Sequence, residues 1–399
     1  MSVKLFFKWI SVVLIYPLIL FIILNTQITL SLKYFLSAIV ILAFLFASII
    51  HYCLSKVCMK EKNHTMIKGN QSKNAELCIV GKNEGENILN ILKHYLTFPG
   101  YLKITVYDDN SDDGSYENMI DLMKEYPDRL RIKKLIRSSK TLHPKGMGVE
   151  EFIKETDADI LLINDADTIV HREDFEKAVD YMLEKELDVV HLSRRNDLSN
   201  FLSTDISDTE EISNTALKTF GISQWCFPGS GIIINREAAN ILDYSDFVAG
   251  DDLEMGRQLK QHGKKTHHFQ TLFAHEKAPT NMKNFFSQRS KWCRNIAYHL
   301  LEMEMLGSYL QIAGSALTLF FLFGLFSPVA MLIIAAGIFY TLVGTISNML
   351  FTGRSFYSSF KLGFFNMLQV WIQGAVFTPF YIFIYPLKRK KMDYNKTKN

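Results

Sequence analysis

Hydropathy divides the chain into three blocks. Residues 5–24 and 32–54 are nearly unbroken apolar runs, each about 20 residues and long enough to cross a bilayer as a helix. From residue 76 to about 273, short apolar runs alternate with stretches of helical period, the signature of a βαβ sheet. Strands are predicted at 77–80, 104–107, 131–135, within 160–167 and at 189–192, and an apolar run follows at 232–234. Helices are predicted from about Glu86 and from Asp251 to Gly263, whereas 196–215 is polar and reads as a loop with one helical turn. Residues 282–301 are aromatic and basic at helical spacing, as in a helix lying at a membrane interface. Beyond residue 310 the chain is apolar again, at 310–326, 329–350 and 364–385.

Charge gives the apolar blocks a direction. Lys4 and Lys8 open the first run, and Lys56, Lys60, Lys62, Lys68 and Lys73 follow the second, so the positive-inside rule places the N-terminus and the central block in the cytosol. A cleaved signal peptide is the alternative for the first run. Its apolar part is too long for that, and a second run follows at once. Arg354 and Lys361 place their loop inside, and so does the basic cluster at 388–391. A single crossing by 364–385 cannot satisfy both, so this stretch is either re-entrant or interfacial, or the rule fails here. The expected organisation is two membrane helices (1–56), a cytosolic catalytic domain (75–280), an amphipathic interfacial helix (281–305), a C-terminal membrane region (306–387) and a basic tail (388–399), anchored in the plasma (inner) membrane. The net charge of +3 says little by itself, because 44 basic and 41 acidic residues nearly cancel, and no nucleic-acid partner is expected. Five cysteines form neither a metal-ligand spacing nor a disulfide framework.

Candidate chemistry centres on Ile160-Leu161-Leu162-Ile163-Asn164-Asp165-Ala166-Asp167, an apolar run ending in two carboxylates. Ligands of open α/β sheets bind outside the carboxyl ends of the strands. Residues two apart on an extended segment face the same side, so Asp165 and Asp167 can meet one hard cation, Mg²⁺ or Mn²⁺, whose shell substrate phosphates complete. Asp108, Asp109, Asp112 and Asp113 crowd the end of the second strand and would repel one another unless cations, donors or backbone N–H groups meet them. A solvated turn capping the next helix is the plain alternative. Lys145, in a glycine-containing helix start, can meet phosphate. Gly229-Ser230-Gly231 permits close backbone approach by a substrate, or makes a tight turn. Asp251-Asp252 opens a helix, where an aspartate is ordinarily a cap.

Taken together, Asn83-Glu84, Asp108-Asp109, Lys145, Asp165-Ala166-Asp167, Gly229-Ser230-Gly231, Asp251-Asp252 and Gln288-x-x-Lys291-Trp292 resemble the family-2 glycosyltransferases. They resemble most the membrane-embedded processive members, the cellulose, chitin, hyaluronan and poly-N-acetylglucosamine synthases. The resemblance runs over about residues 77–292 and extends to the flanking apolar segments. It implies an α/β GT-A (Rossmann-like) catalytic domain between N- and C-terminal transmembrane helices, acting as a hexosyltransferase with a UDP-sugar donor and a glycan acceptor. On that basis Asn83, Glu84, Asp108, Asp109, Lys145, Asp165 and Lys291 bind the donor, and Asp165 and Asp167 the metal. Gly229, Ser230, Gly231, Asp251, Gln288 and Trp292 face the acceptor, and Asp252 is the general base. Lys291 stands where the family usually has arginine, keeping the charge without the planar fork. With no second carboxylate nucleophile evident, one displacement with inversion is the simplest course. The resemblance implies a growing β-linked polysaccharide extruded through the protein's own membrane helices; single transfer to a lipid, and a non-enzymatic sugar-nucleotide sensor, stay open as alternatives, and an accessory subunit is compatible with all three.

Overall fold

The computed structural model describes residues 38, 74–136, 144–197, 225, 227–244, 250–277, 279, 281–303, 355–357, 360–361 and 372–382. The apolar stretches 5–24, 310–326 and 329–350, all of 32–54 except residue 38, and most of the 196–215 loop lie outside the described residues, as does all of 364–385 except 372–382. Among the described residues no helix is long and apolar enough to cross a membrane. The chain divides into two units, residues 58–198 with 224–277, and residues 1–57 with 199–223 and 278–399.

The first unit is built on one eight-stranded sheet. Its strands are β1 (Ala75–Gly81), β2 (Leu102–Asp108), β3 (Leu130–Lys134), β4 (Ile160–Asp165), β5 (Thr168–Val170), β6 (Val189–Asp197), β7 (Ile232–Asn235) and β8 (Thr266–Lys277). Their spatial order is β3-β2-β1-β4-β7-β6-β8-β5. β1, β2 and β4 are buried at nearly every position, as strands covered on both faces must be. Helices α1 (Glu86–Leu96), α2 (Ser115–Glu125), α3 (Pro144–Glu155) and α4 (Arg172–Glu184) connect or flank them, followed by the short α5 (Arg236–Ala239) and then α6 (Asp251–Gln261). Each longer helix buries one stripe, as α4 does with Phe175, Ala178, Val179 and Met182, at the spacing that one face of a 3.6-residue period requires.

The alternating pattern suggested a run of βαβ units. The sheet is instead mixed: β7 pairs antiparallel with both β4 and β6, and β5 antiparallel with β8. The reversal has a consequence for chemistry. Because β7 runs against β4, with Ile232 opposite Ile163, the segment preceding β7 arrives at the carboxyl end of β4. On the other side of β4, Val80 of β1 lies opposite Asp165, and Gly81 opposite Asp108 of β2. The ends of three parallel strands and the start of one antiparallel strand therefore share one edge.

One buried amide fixes that edge. The Asn164 side chain donates to the Tyr95 hydroxyl at 2.6 Å and accepts from the Gly231 backbone N–H at 2.7 Å. The Tyr95 hydroxyl in turn accepts from Val170 N–H at 2.8 Å and donates to the Thr168 carbonyl at 3.3 Å. Asn164 thus ties β4 to the glycine segment on one side and, through Tyr95 of α1, to β5 on the other. Replacing Asn164 by Ala strands buried partners and is expected to cost about 2 kcal/mol, a fall of several degrees in the unfolding midpoint. An unchanged midpoint by scanning fluorimetry would show that the amide is dispensable.

Candidate active site

Four of the residues singled out in the sequence converge around Gly229. Lys145, at the start of α3, extends its ammonium to Asp165 Oδ1 at 2.6 Å, to the Gly229 carbonyl at 2.6 Å and to Asp251 Oδ2 at 3.3 Å. Gly229 has φ +86°, and a Cβ placed there would lie 3.5 Å from Asp165 Oδ2, 3.5 Å from Asp252 Oδ2 and 3.9 Å from Lys145 Nζ. The missing side chain therefore leaves a cradle walled by two carboxylates and an ammonium. Glycine also meets the left-handed backbone at no steric cost.

The aspartates at the start of α6 are not helix caps. Gly250 occupies the cap position with φ +77°, and no side chain caps the helix. Asp251 turns to Lys145, and Asp252 Oδ1 accepts the N–H of its neighbour Leu253 at 2.9 Å. α6 is held close to the segment before the glycines, since a Cβ on Gly256 would overlap the Trp225 carbonyl. The half-buried Lys145–Asp251–Asp252 group shifts its own protonation. Burial would lower the Lys145 pKa, but the Asp165 and Asp251 carboxylates override it and hold the amine well above its usual range. Asp252 is pushed up to about 7, first by burial and then by the adjacent Asp251 carboxylate, with Lys145 pulling the other way. The Tyr244 phenol, buried beside the same charges and packed over Gly146, is driven well above its ordinary value by burial and by Asp251. Tyr244 carried no signal in the sequence.

The four-aspartate turn after β2 finds donors. Asp108 is fully buried, its Oδ1 accepting from Ser111 Oγ at 2.5 Å and its Oδ2 from Ser111 N at 3.1 Å. Asp112 and Asn83 exchange hydrogen bonds at 2.7 and 3.0 Å. Asp113 accepts from Gly85 N and Ser115 N, both at 3.0 Å, and from the Ser115 hydroxyl. Against the upward push of burial, those bonds hold the Asp113 carboxyl below its usual range. The β1–α1 and β2–α2 loops are zipped together by these bonds, with Asn83 at φ +55°. Asp109 is buried and its backbone N–H meets the Gly81 carbonyl at 2.8 Å, while Glu84 is half-buried in the same loop. The polar turn is therefore a structural clasp at Asp108, Asp112 and Asp113.

Ser230 is buried and donates to Glu276 of β8, which also lies 3.7 Å from Arg194 Nε. Asp167 is half-buried just beyond β4. Among the described residues no group of three or more His, Cys, Asp and Glu side chains is arranged to hold a metal. Two carboxylates at a strand end form a donor set suited to a cation that draws its other ligands from a diphosphate, and Asp165 and Asp167 fit that description.

In the second unit, α7 (Met282–Met303) carries Gln288, Lys291 and Trp292, all half-buried. Arg289 between them is completely buried, a role the sequence pattern did not single out. Its guanidinium lies 4.1 Å from the Trp292 ring centroid and 4.4 Å from that of Phe285, and its Nη1 donates to Gln288 Oε1 at 2.6 Å. One cation thus orients two of the predicted acceptor contacts. In the same unit Ser290 Oγ meets Tyr381 Oη at 2.6 Å, and Cys293 Sγ donates to Gln373 Oε1 at 3.6 Å, where a π-helical turn runs over Gln373–Phe377.

No curated protein matches the chain. Among solved structures, a mannosyltransferase from Pyrobaculum calidifontis in complex with GDP-Man and Mn²⁺ is similar with a TM-score of 0.53 at 14% identity, over 89% of this chain and 100% of that one. Glucosyl-3-phosphoglycerate synthase from Mycobacterium tuberculosis, in complex with Mn²⁺, UDP and glucosyl-3-phosphoglycerate, gives 0.40 at 14% identity, over 59% of this chain and 80% of that one. The first likeness shows the fold, an α/β GT-A architecture on a mixed sheet. The model of glycosyl transferase family 2 matches residues 77–242, and that of glycosyl transferase family group 2 matches residues 160–385, more than half of the sequence. The chain belongs to glycosyl transferase family group 2.

Proposed function

We propose that this glycosyltransferase takes a sugar from a nucleoside diphosphate sugar, UDP-linked by the family resemblance, and adds it with inversion to a growing β-linked glycan. The observation that carries the reading is the convergence of Lys145, Asp165, Asp251 and Asp252 around Gly229 at the carboxyl edge of the sheet. Asp165 and Asp167 would hold Mg²⁺ or Mn²⁺, whose chemistry is to neutralise the leaving diphosphate. Lys145 adds a second positive charge on that side. Asp252 removes the proton of the acceptor hydroxyl as its oxygen attacks the anomeric carbon, and the bond from that carbon to the diphosphate oxygen breaks. A base needs a pKa near the working pH, and burial beside Asp251 gives Asp252 one. Asn83, Glu84 and Asp109 are assigned to the donor side, and Asp108 acts there by holding the turn. Gly229 and Gly231 are assigned to the acceptor side. Ser230 and Asp251 would act through Glu276 and Lys145, and Gln288 and Trp292 would bind the acceptor sugar with Lys291 beside them. Arg289, stacked on the Trp292 ring, would hold the indole in place for the acceptor.

The polymer reading calls for a polar path through the membrane region, drawn from Asn366, Gln369 and Gln373. Gln373 is buried and takes the Cys293 thiol as partner, which is a helix–helix contact and favours, as the second reading, single transfer to a lipid. The catalytic domain and both termini are assigned to the cytosol, in the plasma (inner) membrane. An accessory subunit is compatible with either product.

Four outcomes are expected. The kcat/KM profile reports the free enzyme, so its acid limb should bend near pH 7, where Asp252 loses its proton. Asp251→Asn removes the like charge that raises Asp252 and should move the bend to lower pH. Asp252→Asn should retain donor binding while transfer falls by roughly 10²–10⁴-fold, and loss of both together would instead assign Asp252 to folding. Purified protein with Mn²⁺ and a panel of UDP- and GDP-sugars should yield a heterogeneous polymer that stays bound until chased. There Trp292→Ala should cut chain length by roughly tenfold or more with little loss of nucleotide binding. A wild-type product limited to a lipid bearing one sugar, with donor in large excess, establishes the second reading. Finally, a C-terminal cysteine tag should resist membrane-impermeant label in intact cells, and labelling from outside would reverse the assigned topology.

A further inference from the structure

The position of Lys145 points to a role beyond contact with the donor. Its ammonium has three donors and stands among three acceptors on three different segments: Asp165 Oδ1 on β4, Asp251 Oδ2 on α6, and the Gly229 carbonyl before β7. Only 14% of the side chain is exposed, and 13% of that of Asp251. The lysine therefore sits inside the acidic cluster, on an oxygen of one of the two carboxylates assigned to the cation. A divalent ion approaching Asp165 meets a fixed positive charge already bonded to it.

Among the described residues the protein offers no three-ligand set to outbid that lysine. A cation that brings a diphosphate changes the balance twice. Phosphate oxygens supply the ligands the protein lacks, and they give the lysine a new acceptor on its flexible four-carbon stem.

We propose that Lys145 is a counter-charge lock, which holds Asp165 and Asp251 until a nucleoside diphosphate arrives, so that cation and nucleotide bind as one unit rather than cation first. The proposal rests on the metal-dependent reading above. Affinities linked in this way are reciprocal: UDP tightens Mn²⁺ and Mn²⁺ tightens UDP by the same factor. Lys145 is a positioning residue for the metal site, and removing its charge should make the nucleotide-free site bind metal better, the opposite of what a merely structural defect does.

The test is a titration of full-length protein in detergent with Mn²⁺, read from the electron paramagnetic resonance of the free ion, without nucleotide and with saturating UDP or GDP. Wild type should bind Mn²⁺ at least tenfold more tightly with nucleotide. Lys145→Met should bind Mn²⁺ alone at least fivefold more tightly than wild type and lose most of the coupling, whereas Lys145→Arg, which keeps the charge, should retain weak nucleotide-free binding. A Lys145→Met protein whose nucleotide-free affinity is unchanged or lower overturns the lock alone. A wild type that binds Mn²⁺ equally well with and without nucleotide overturns it without any variant. If wild type binds no Mn²⁺ under either condition, the metal-dependent reading falls with it.

Discussion

Three carboxylates, Asp165, Asp251 and Asp252, are gathered around one ammonium, and the arrangement of the catalytic edge depends on that charge. Like charges in a half-buried cleft repel strongly because little water screens them. Lys145 bridges the end of β4, the first turn of α6 and the carbonyl of Gly229, segments far apart in sequence. Topology makes the meeting geometrically feasible. β4 lies between β1 and β7, and the antiparallel course of β7 delivers the glycine segment to the end of β4. The Asn164 amide then fixes the separation by bonding Gly231. Hydrogen bonding sets where the loop sits, and the ion pairs set what it faces.

Much of this was legible in the sequence. The strands expected at 77–80, 104–107, 131–135 and 189–192 all form; β1 and β2 advertise themselves because a strand buried on both faces is apolar nearly throughout, whereas β3, at the sheet edge, alternates buried Leu130 and Ile132 with exposed charge. Strand direction is not written in hydropathy, and so the reversed pairing of β7 and of β5 did not show. β8 escaped for another reason. Its buried positions include His268 before Phe269 and Gln270 between Phe269 and Leu272, which erases the apolar alternation a strand normally displays. His268 is accommodated by His191 at 2.9 Å and Ser193 at 3.1 Å, partners that only the fold brings together. Asn164 did stand in plain view as the one amide in an apolar run. A buried amide there demands partners on both of its ends, a signal that could have marked it as the organiser of the edge.

Aspartates that look alike in sequence divide by the donors within their reach. Asp108, Asp112 and Asp113 are met by hydroxyls, amides and backbone N–H groups of two neighbouring loops, and those bonds shape a turn. Asp165, Asp251 and Asp252 find one ammonium among three, and burial, then the neighbouring Asp251 charge, keeps the Asp252 pKa raised against the pull of Lys145. Spacing alone cannot make this distinction, because Asp108-Asp109 and Asp251-Asp252 are the same dipeptide. What differs is the neighbouring strand: β2 ends beside a loop rich in donors, whereas α6 begins against the end of β4, which adds a further carboxylate.

The two cations described in detail show why the basic residues are not interchangeable. Arg289 is stacked against Phe285 and Trp292, where a planar, weakly hydrated guanidinium can cover an aromatic face and still donate to Gln288. An ammonium has no flat surface to offer Trp292, so the indole would lose its support. Lys145 meets the converse demand. Its three acceptors come from three different segments, which suits a compact ammonium with three rotatable donors. A group that must release a carboxylate and take up a phosphate needs a flexible stem more than a fixed fork.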